Sequence, residues 1–243
     1  MKFLCIHGNG SNNAVMELQT GNSARTFLAF LRPRLTHFAA GLRYELEDQY
    51  EYEFVEAAVA VPMAADVTSL ASPGQSFFGF YRPADFVNLR TAVDQLEDYI
   101  RTEGPFDGVL GFSAGCVVAA LHILEMQRRR EQQYDSGGAA VAGNDQPEPP
   151  PLPFRCAIFV CSAAVRGALE FLGGDPQAER IRIPTVHVMG SSDGVEPTGG
   201  QELSQLCDPV VRTVLVHDGG HEFPKGEQLI EMSHAIQRGL DVV

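Results

Sequence analysis

Short apolar runs alternate along this chain with longer stretches in which apolar residues recur at helical spacing. Several of these runs follow a Pro or lead into a loop rich in Gly, Asn or Asp, as is typical of buried strands. The predicted strands are KFLCI (2–6), YEFVEA (52–57), FDGVLGF (106–112), FRCAIFVCSA (154–163) and the first parts of IPTVHVMGSSDGV (183–195) and RTVLVHDGGHEF (212–223).

The stretches between these runs predict helices. In residues 85–104, apolar side chains fall on one face of a helix that Gly104-Pro105 ends. Residues 114–130 and 225–240 show similar patterns. The apolar positions of 13–47 also have helical spacing, with a break at Gly21; they include Phe27, Phe30, Leu31, Leu35 and Phe38. Strands that alternate with helices predict a mostly parallel sheet with helices on both faces, in a single α/β domain over 1–243.

Two segments lack a clear period. Residues 60–84 are rich in Pro, Gly, Ser and aromatics, and we expect them to form a lid or binding loop. Residues 131–153 are low in complexity and rich in Pro, Gly and Ala, and we expect a disordered insertion there.

Composition narrows the function. The formal net charge of −13 disfavours a nucleic-acid or anionic-membrane partner. The apolar run at the start of the chain is too short for the core of a signal peptide, and no apolar run approaches the length of about 20 residues that a membrane-spanning helix needs. The five cysteines are odd in number and lie mostly in apolar segments, so we interpret them as buried free thiols of a cytoplasmic protein. Neither CxxC nor HExxH occurs, and no metal site is expected.

The segment GFSAG (111–115) places Ser113 between glycines where a predicted strand meets a predicted helix. The G-x-S-x-G pattern is that of a nucleophile elbow, in which a sharp turn holds a serine in a strained backbone conformation. A tight structural turn is the alternative. The first N–H groups of the following helix, beginning with Ala114, are free to face a developing oxyanion.

Two further residues favour the nucleophile over the turn. Asp193 and His221 each follow their own predicted strand, and the carboxyl ends of parallel strands meet at one edge of the sheet. Taken singly, Asp193 is a common Asp-Gly turn and His221 a surface histidine. The order Ser113, Asp193, His221 is that of an α/β-hydrolase triad, in which the histidine is the base and the aspartate orients it. Asp218 is a rival acid in the loop of His221.

The loop HGNGSN (7–12) follows the first predicted strand. A phosphate-binding loop is disfavoured, because the loop lacks both the P-loop lysine and the G-x-G-x-x-G spacing. The backbone N–H of Asn9 is the better candidate for a second oxyanion donor beside Ala114. This chemistry needs no metal and no organic cofactor.

The segments HGNGSN, GPFDGVLGFSAG, GSSDGV and DGGHEFP together resemble the fungal family of serine hydrolases, the FSH group, which includes thioesterases that release polyketides from their synthases. The resemblance runs from about residue 2 to about residue 240. It implies an α/β-hydrolase fold with Ser113 as nucleophile, Asp193 as acid and His221 as base. Members usually have glutamine where this chain has Ala114, and tryptophan in the segment matching FFGFYRP, whereas this chain has no tryptophan.

We therefore expect hydrolysis of an ester or thioester through an acyl-serine intermediate. Two alternatives stay open: transfer or cyclisation from the same acyl-enzyme, and a non-catalytic binding module with the hydrolase fold. The aromatic residues of 60–84, namely Phe77, Phe78, Phe80 and Tyr81, are expected to wall an apolar acyl pocket. The resemblance points to a polyketide or fatty acyl chain on a carrier protein. An acidic carrier would need a local basic patch, for which Arg32, Arg34 and Arg82 are candidates.

Overall fold

A computed structural model describes residues 1–21, 41–46, 50–137 and 152–240. Its strands are β1 (Lys2–Ile6), β2 (Glu51–Val55), β3 (Val59–Ala60), β4 (Phe78–Gly79), β5 (Gly108–Phe112), β6 (Cys156–Val160), β7 (Thr185–Gly190) and β8 (Arg212–His217). Its helices are α1 (Asn13–Thr20), α2 (Leu42–Glu45), α3 (Leu89–Glu103), α4 (Ala114–Gly137), α5 (Arg166–Phe171), α6 (Gly199–Gln205) and α7 (Glu227–Leu240).

Six strands form one sheet in the order β2-β1-β5-β6-β7-β8. Every neighbouring pair is parallel, which confirms the predicted sheet. Since all six strands run the same way, their carboxyl ends share one edge. The loops after β1, β5, β7 and β8 are the ones that carry the candidate residues, so the topology gathers them there.

The core lies on both faces of this sheet because side chains alternate along each strand. In β1, Leu4 and Ile6 join one buried cluster, which packs under α3, α4, α5 and α6. Phe3 and Cys5 point the other way and join a second cluster with α1, α2 and α7. Within the described part of the chain, no helix is both long and apolar enough to cross a membrane.

Two helical boundaries differ from the sequence expectation. Helix α3 begins at Leu89, not at 85, because Phe86 (φ 54°) and Asn88 (φ 71°) have left-handed backbone that a helix cannot include. Helix α4 continues to Gly137, so 131–137, which were expected to belong to a disordered insertion, are helical. Residues 138–151 lie outside the described residues.

Other parts of the helical pattern were missed or lie beyond what is described. The short helices α5 and α6 were not predicted. Helix α1 ends at Thr20, and Gly21 is its C-cap, in agreement with the predicted break. The five apolar positions expected in a helix between 27 and 38 lie outside the described residues.

Residues 60–84 contain secondary structure that sequence spacing did not show. Strands β3 and β4 pair antiparallel, and a short 3₁₀ helix spans Ala65–Val67. The segment is tied to the loop after β1, because the Ala64 N–H donates to the Gly10 carbonyl at 3.0 Å and the Phe78 N–H donates to the Ser11 carbonyl at 2.8 Å. It therefore lies beside the carboxyl edge of the sheet, where a lid was expected.

Candidate active site

Ser113 occupies the turn between β5 and α4 with a φ of 52°, in the left-handed region that non-glycine residues rarely adopt. Both flanking glycines are required sterically. A Cβ on Gly111 would lie 2.8 Å from the Cys116 backbone across the turn. A Cβ on Gly115 would lie 2.2 Å from the Ile6 carbonyl oxygen, at the end of the neighbouring strand β1.

The Ser113 side chain meets His221, which in turn meets Asp193. His221 Nε2 is 2.9 Å from Ser113 Oγ, and His221 Nδ1 is 2.7 Å from Asp193 Oδ2. Only 4% of the His221 side chain and 6% of the Asp193 side chain are exposed, so water competes little for either contact. The structure thus brings together the three residues predicted from the sequence, and the acid that contacts His221 Nδ1 is Asp193, not the rival Asp218.

The loops after β7 and β8 hold this arrangement by backbone contacts. The Ser192 N–H donates to the Gly219 carbonyl at 3.0 Å, so the aspartate and histidine loops are directly linked. The ring of His221 also packs against that of Phe112, the last residue of β5, with centroids 5.2 Å apart. The imidazole is therefore held between its acid and the nucleophile.

The Asp193 carboxylate is stabilised in its charged form. Burial by itself raises its pKa, but hydrogen bonds from the Glu196 backbone and from His221 outweigh burial and hold the pKa below its ordinary value. Asp193 Oδ1 accepts from the N–H groups of Glu196 at 2.8 Å and Val195 at 2.9 Å. Oδ2 is left for the imidazole, which fixes the tautomer with hydrogen on Nδ1 and leaves Nε2 as an acceptor toward Ser113.

The loop after β1 is ordered by two buried or half-buried side chains. His7, which is fully buried, contacts the Gly8 carbonyl through Nδ1 at 2.7 Å and accepts the Ala57 N–H at Nε2, 3.1 Å away. Since a carbonyl oxygen can only accept, Nδ1 carries a hydrogen and donates it to Gly8. The Asn9 side chain accepts the Phe80 N–H at 3.0 Å and donates to the Tyr81 carbonyl at 2.9 Å.

These contacts orient the two expected oxyanion donors. The carbonyl of Gly8 and the N–H of Asn9 belong to one planar peptide group, so fixing the carbonyl also fixes the N–H. Gly8 itself lies against the nucleophile, because a Cβ there would be 3.0 Å from Ser113 Cβ. Ala114 is the first residue of α4, and its N–H has no acceptor within the helix. Sequence reasoning named the donors but missed His7 and Gly8, which position one of them.

The structure places the expected aromatic wall elsewhere. Phe80 and Tyr81 are buried in the core, and the ring of Phe80 packs on His7 with centroids 5.1 Å apart. Phe78 lies in β4 and packs against the same core, and Phe77 is only half-buried. None of the four lines the cavity beside His221. The Asn9 side chain holds the backbone of Phe80 and Tyr81, whose rings lie in the core. The sequence pattern could not show this contact.

A cavity of about 240 Å³ opens beside His221. Its apolar lining comes from three separate segments, namely α1, the 3₁₀ region and the loop into α7; the residues are Leu18, Leu70, Phe223, Pro224 and Leu229. Gly21 and Gly41 lie at its border, next to residues 22–40, which are outside the described residues. Segment 60–84 therefore contributes Leu70 to the cavity wall, and its aromatic side chains do not reach it.

All five cysteines are buried and free. Burial raises the pKa of every one of these thiols, which keeps them protonated near neutral pH. Their assignment as buried free thiols is confirmed; the cytoplasmic location inferred from them stays a prediction.

Comparison with known proteins gives a consistent set of relatives. A family model described as "Serine hydrolase (FSH1)" matches residues 1–233. Esterase FPY3 of Fusarium mangiferae is 31% identical over 248 residues, which cover 98% of this chain and 96% of that protein. Hydrolase FUB4 of Fusarium oxysporum f. sp. lycopersici is 26% identical over 282 residues, which cover 97% of both.

Solved structures share the fold at low identity. A carboxylesterase from Bacillus cereus has a TM-score of 0.54 and 13% identity, and the match covers 98% of this chain and 87% of that one. A predicted CIB-like hydrolase from Thermoplasma acidophilum has a TM-score of 0.55 and 16% identity, with 98% and 86% covered. The predicted α/β-hydrolase fold is confirmed.

Proposed function

This chain belongs to the serine hydrolase (FSH1) family, and on that premise we propose that it cleaves an ester or thioester through an acyl-Ser113 intermediate. One observation carries the proposal: an unbroken hydrogen-bonded chain from Ser113 through His221 to Asp193, with heavy-atom distances of 2.9 and 2.7 Å. These are the distances that general-base activation of a serine requires.

The proposed reaction has two halves. Ser113 Oγ attacks the acyl carbonyl carbon while its proton passes to His221 Nε2, and the imidazolium returns that proton to the leaving alcohol or thiol. A water molecule, deprotonated by the same nitrogen, then attacks the acyl-enzyme; the imidazolium protonates the departing Ser113 oxygen, and the carboxylic acid is released. The Asn9 and Ala114 N–H groups hold the oxyanion in both tetrahedral intermediates.

For the substrate we propose an apolar acyl chain carried as an ester or thioester, as the sequence resemblance to polyketide-releasing thioesterases suggests. The cavity beside His221, with Leu70, Phe223 and Leu229 in its lining, is the acyl pocket in this proposal. Its volume of about 240 Å³ is small among ligand sites, which typically measure about 300–1,000 Å³. This favours a short acyl group at the catalytic end of the substrate.

Delivery of the acyl chain by an acidic carrier protein stays a proposal. Of the three arginines considered for docking, Arg82 is exposed and 3.6 Å from Asp85, which partly neutralises its charge. Arg32 and Arg34 lie outside the described residues. The docking patch therefore receives no further support from the described surface.

Substitution of Ser113 by Ala tests the reaction. We expect loss of short p-nitrophenyl ester hydrolysis by about 10⁴-fold or more, with residual turnover from the oxyanion donors and binding alone. Labelling of Ser113 by a fluorophosphonate should occur in the wild type and vanish in Ser113→Ala. A folded wild type that does not label would favour a non-catalytic binding module instead.

A chain-length series of acyl thioesters tests the pocket, with two matched variants. Leu70→Ala enlarges the cavity and should shift the optimum toward longer acyl chains, whereas Phe78→Ala lies off the cavity and should leave the optimum unchanged. A shift in Phe78→Ala alone would restore the aromatic pocket expected from the sequence. Product masses, with and without an added alcohol or amine, separate hydrolysis from transfer or cyclisation.

A further inference from the structure

A second cavity, of about 350 Å³, is lined by Asp193 of the candidate triad but by neither Ser113 nor His221. Strand β7, strand β8 and helix α6 form its walls. Cys161 and Asp193 both line it, so a thiol and the acid of the candidate triad share one cavity. The proposed hydrolysis uses neither this cavity nor Cys161.

The charged side chains that line this cavity are acidic. Asp193 and Glu196 both line it, and its lining contains neither lysine nor arginine. The acidic side chains of this lining would attract an entering cation and repel an anion.

Cys161 places a sulfur atom close to the carboxylate of Asp193 and the imidazole of His221. It directly follows β6 with a φ of 45°, a left-handed conformation that turns the chain sharply at the carboxyl edge. Its Sγ lies within 4.8 Å of one ligand atom each of Asp193 and His221, and those two atoms lie within the same distance of each other. His217 Nε2 is 3.9 Å from the same sulfur.

We propose that Cys161, Asp193 and His221 form an inhibitory site for a soft divalent cation such as Zn²⁺ or Cd²⁺. The cation enters through the cavity that Cys161 and Asp193 line. Thiolate, carboxylate and imidazole are all ligands of Zn²⁺ in proteins, and ligand distances of about 2.0–2.3 Å require the three atoms, now within 4.8 Å of one another, to move closer together. A water molecule from the cavity completes a four-coordinate site.

Binding changes the protons of the site in a defined way. The metal bonds to Sγ, and the thiol proton leaves to solvent. It also bonds to His221 Nδ1, whose hydrogen is replaced while Nε2 takes up a proton, so the imidazole stays neutral as the other tautomer. One proton is released in total. Nε2 then carries hydrogen toward Ser113 and cannot accept the serine proton, so turnover stops.

The same environment protects Cys161 when metal is absent. Burial raises the pKa of its thiol to about 12, so the sulfur is protonated and a poor nucleophile at neutral pH. A coordinating cation deprotonates a thiol outright. His217 can then stabilise the thiolate from outside the coordination shell, because its Nδ1 accepts the Gly219 N–H at 3.1 Å and its hydrogen is on Nε2, facing the sulfur.

Metal titrations of the wild type, Cys161→Ser and Cys207→Ser test the site. Cys207 is a matched control, because it is also buried and free but lies outside the cluster. We expect Zn²⁺ to inhibit ester hydrolysis reversibly, with chelator restoring activity in the wild type and in Cys207→Ser. Cys161→Ser should keep its basal activity and need at least about 10-fold more Zn²⁺ for the same inhibition.

A direct readout separates metal binding from catalysis. Cd²⁺ should produce a thiolate-to-metal charge-transfer band in the ultraviolet in the wild type and in the inactive Ser113→Ala, and none in Cys161→Ser. Absence of the band in the wild type, or equal Zn²⁺ inhibition of Cys161→Ser, would overturn the site. Since the band needs no turnover, it reports on the metal site even if the proposed hydrolysis, on which only the inhibition rests, proves wrong.

Discussion

The clearest perturbation of the candidate site is Asp193→Asn, which keeps the shape of the side chain and reverses one hydrogen bond. The amide carbonyl can still accept the N–H groups of Val195 and Glu196, as Oδ1 does now at 2.9 and 2.8 Å. The amide nitrogen then replaces Oδ2, 2.7 Å from His221 Nδ1. A donor in that position forces Nδ1 to accept, so the imidazole hydrogen moves to Nε2.

The expected magnitude follows from that tautomer. Nε2–H cannot take the Ser113 proton, so kcat should fall by about 10⁴-fold, which corresponds to about 5 kcal/mol of transition-state stabilisation. The KM should change little, because Asp193 lies behind the imidazole and does not line the cavity beside it. Steady-state kinetics on a p-nitrophenyl ester and the rate of fluorophosphonate labelling of Ser113 both measure this loss.

Glu196→Gln is the matched control, since it neutralises the neighbouring carboxylate and keeps an oxygen to accept the Ala164 N–H, now 3.2 Å from Oε2. We expect this variant to retain kcat within a few-fold, because the imidazole nitrogens of His221 contact Asp193 and Ser113 and, among the described residues, make no hydrogen bond to Glu196. If Asp193→Asn kept more than about a tenth of the wild-type kcat, or if both variants lost activity equally, the tautomer argument would be refuted.

Stability should respond to Asp193 in a pH-dependent way. The folded pKa of this carboxyl is below its ordinary value, so its charged form stabilises the folded state above the unfolded pKa, and this contribution is lost as pH falls through the folded pKa. Asp193→Asn should therefore lower the denaturation midpoint at neutral pH more than at acidic pH. An equal loss at both pH values would contradict this.

Three further predictions address the parts of the molecule that support the site. Gly111→Ala should lower stability by about 1–3 kcal/mol, because its Cβ would lie 2.8 Å from backbone atoms of the elbow, whereas Gly194→Ala, with open space around it, should not; thermal unfolding of both variants checks this. His7→Ala should lower kcat by up to about 10²-fold with little change in KM, because the peptide carrying an oxyanion donor is released, and His7→Asn, which restores a donor, should recover part of the loss; full activity of His7→Ala would count against the role. Burial lowers the pKa of His122 to about 4, so stability should fall as pH drops from about 6.5 to 4, and His122→Leu should remove part of that acid sensitivity in chemical denaturation.

The common location of the three triad candidates could be predicted from the sequence because each lies in the loop that follows an apolar run. Parallel strands bring their carboxyl ends to one edge whatever their order in the sheet, so Ser113, Asp193 and His221 had to lie along the same edge. The glycines around Ser113 could also be interpreted locally, since a sharp turn tolerates no side chain at Gly111. These inferences depend only on short-range backbone chemistry.

Contacts between distant segments were decided by the tertiary structure alone. The Asn9 side chain holds the backbone of residues 80 and 81, and the rings of Phe80 and Tyr81 lie in the core, so the apolar lining of the cavity beside His221 comes from three other segments. Cys161, Asp193 and His221 share no ligand spacing in the sequence, and only the adjacency of β6, β7 and β8 brings them together. Spacing along the chain determines which face a residue occupies, whereas the order of strands in the sheet determines which residues meet, and no local pattern encodes that order.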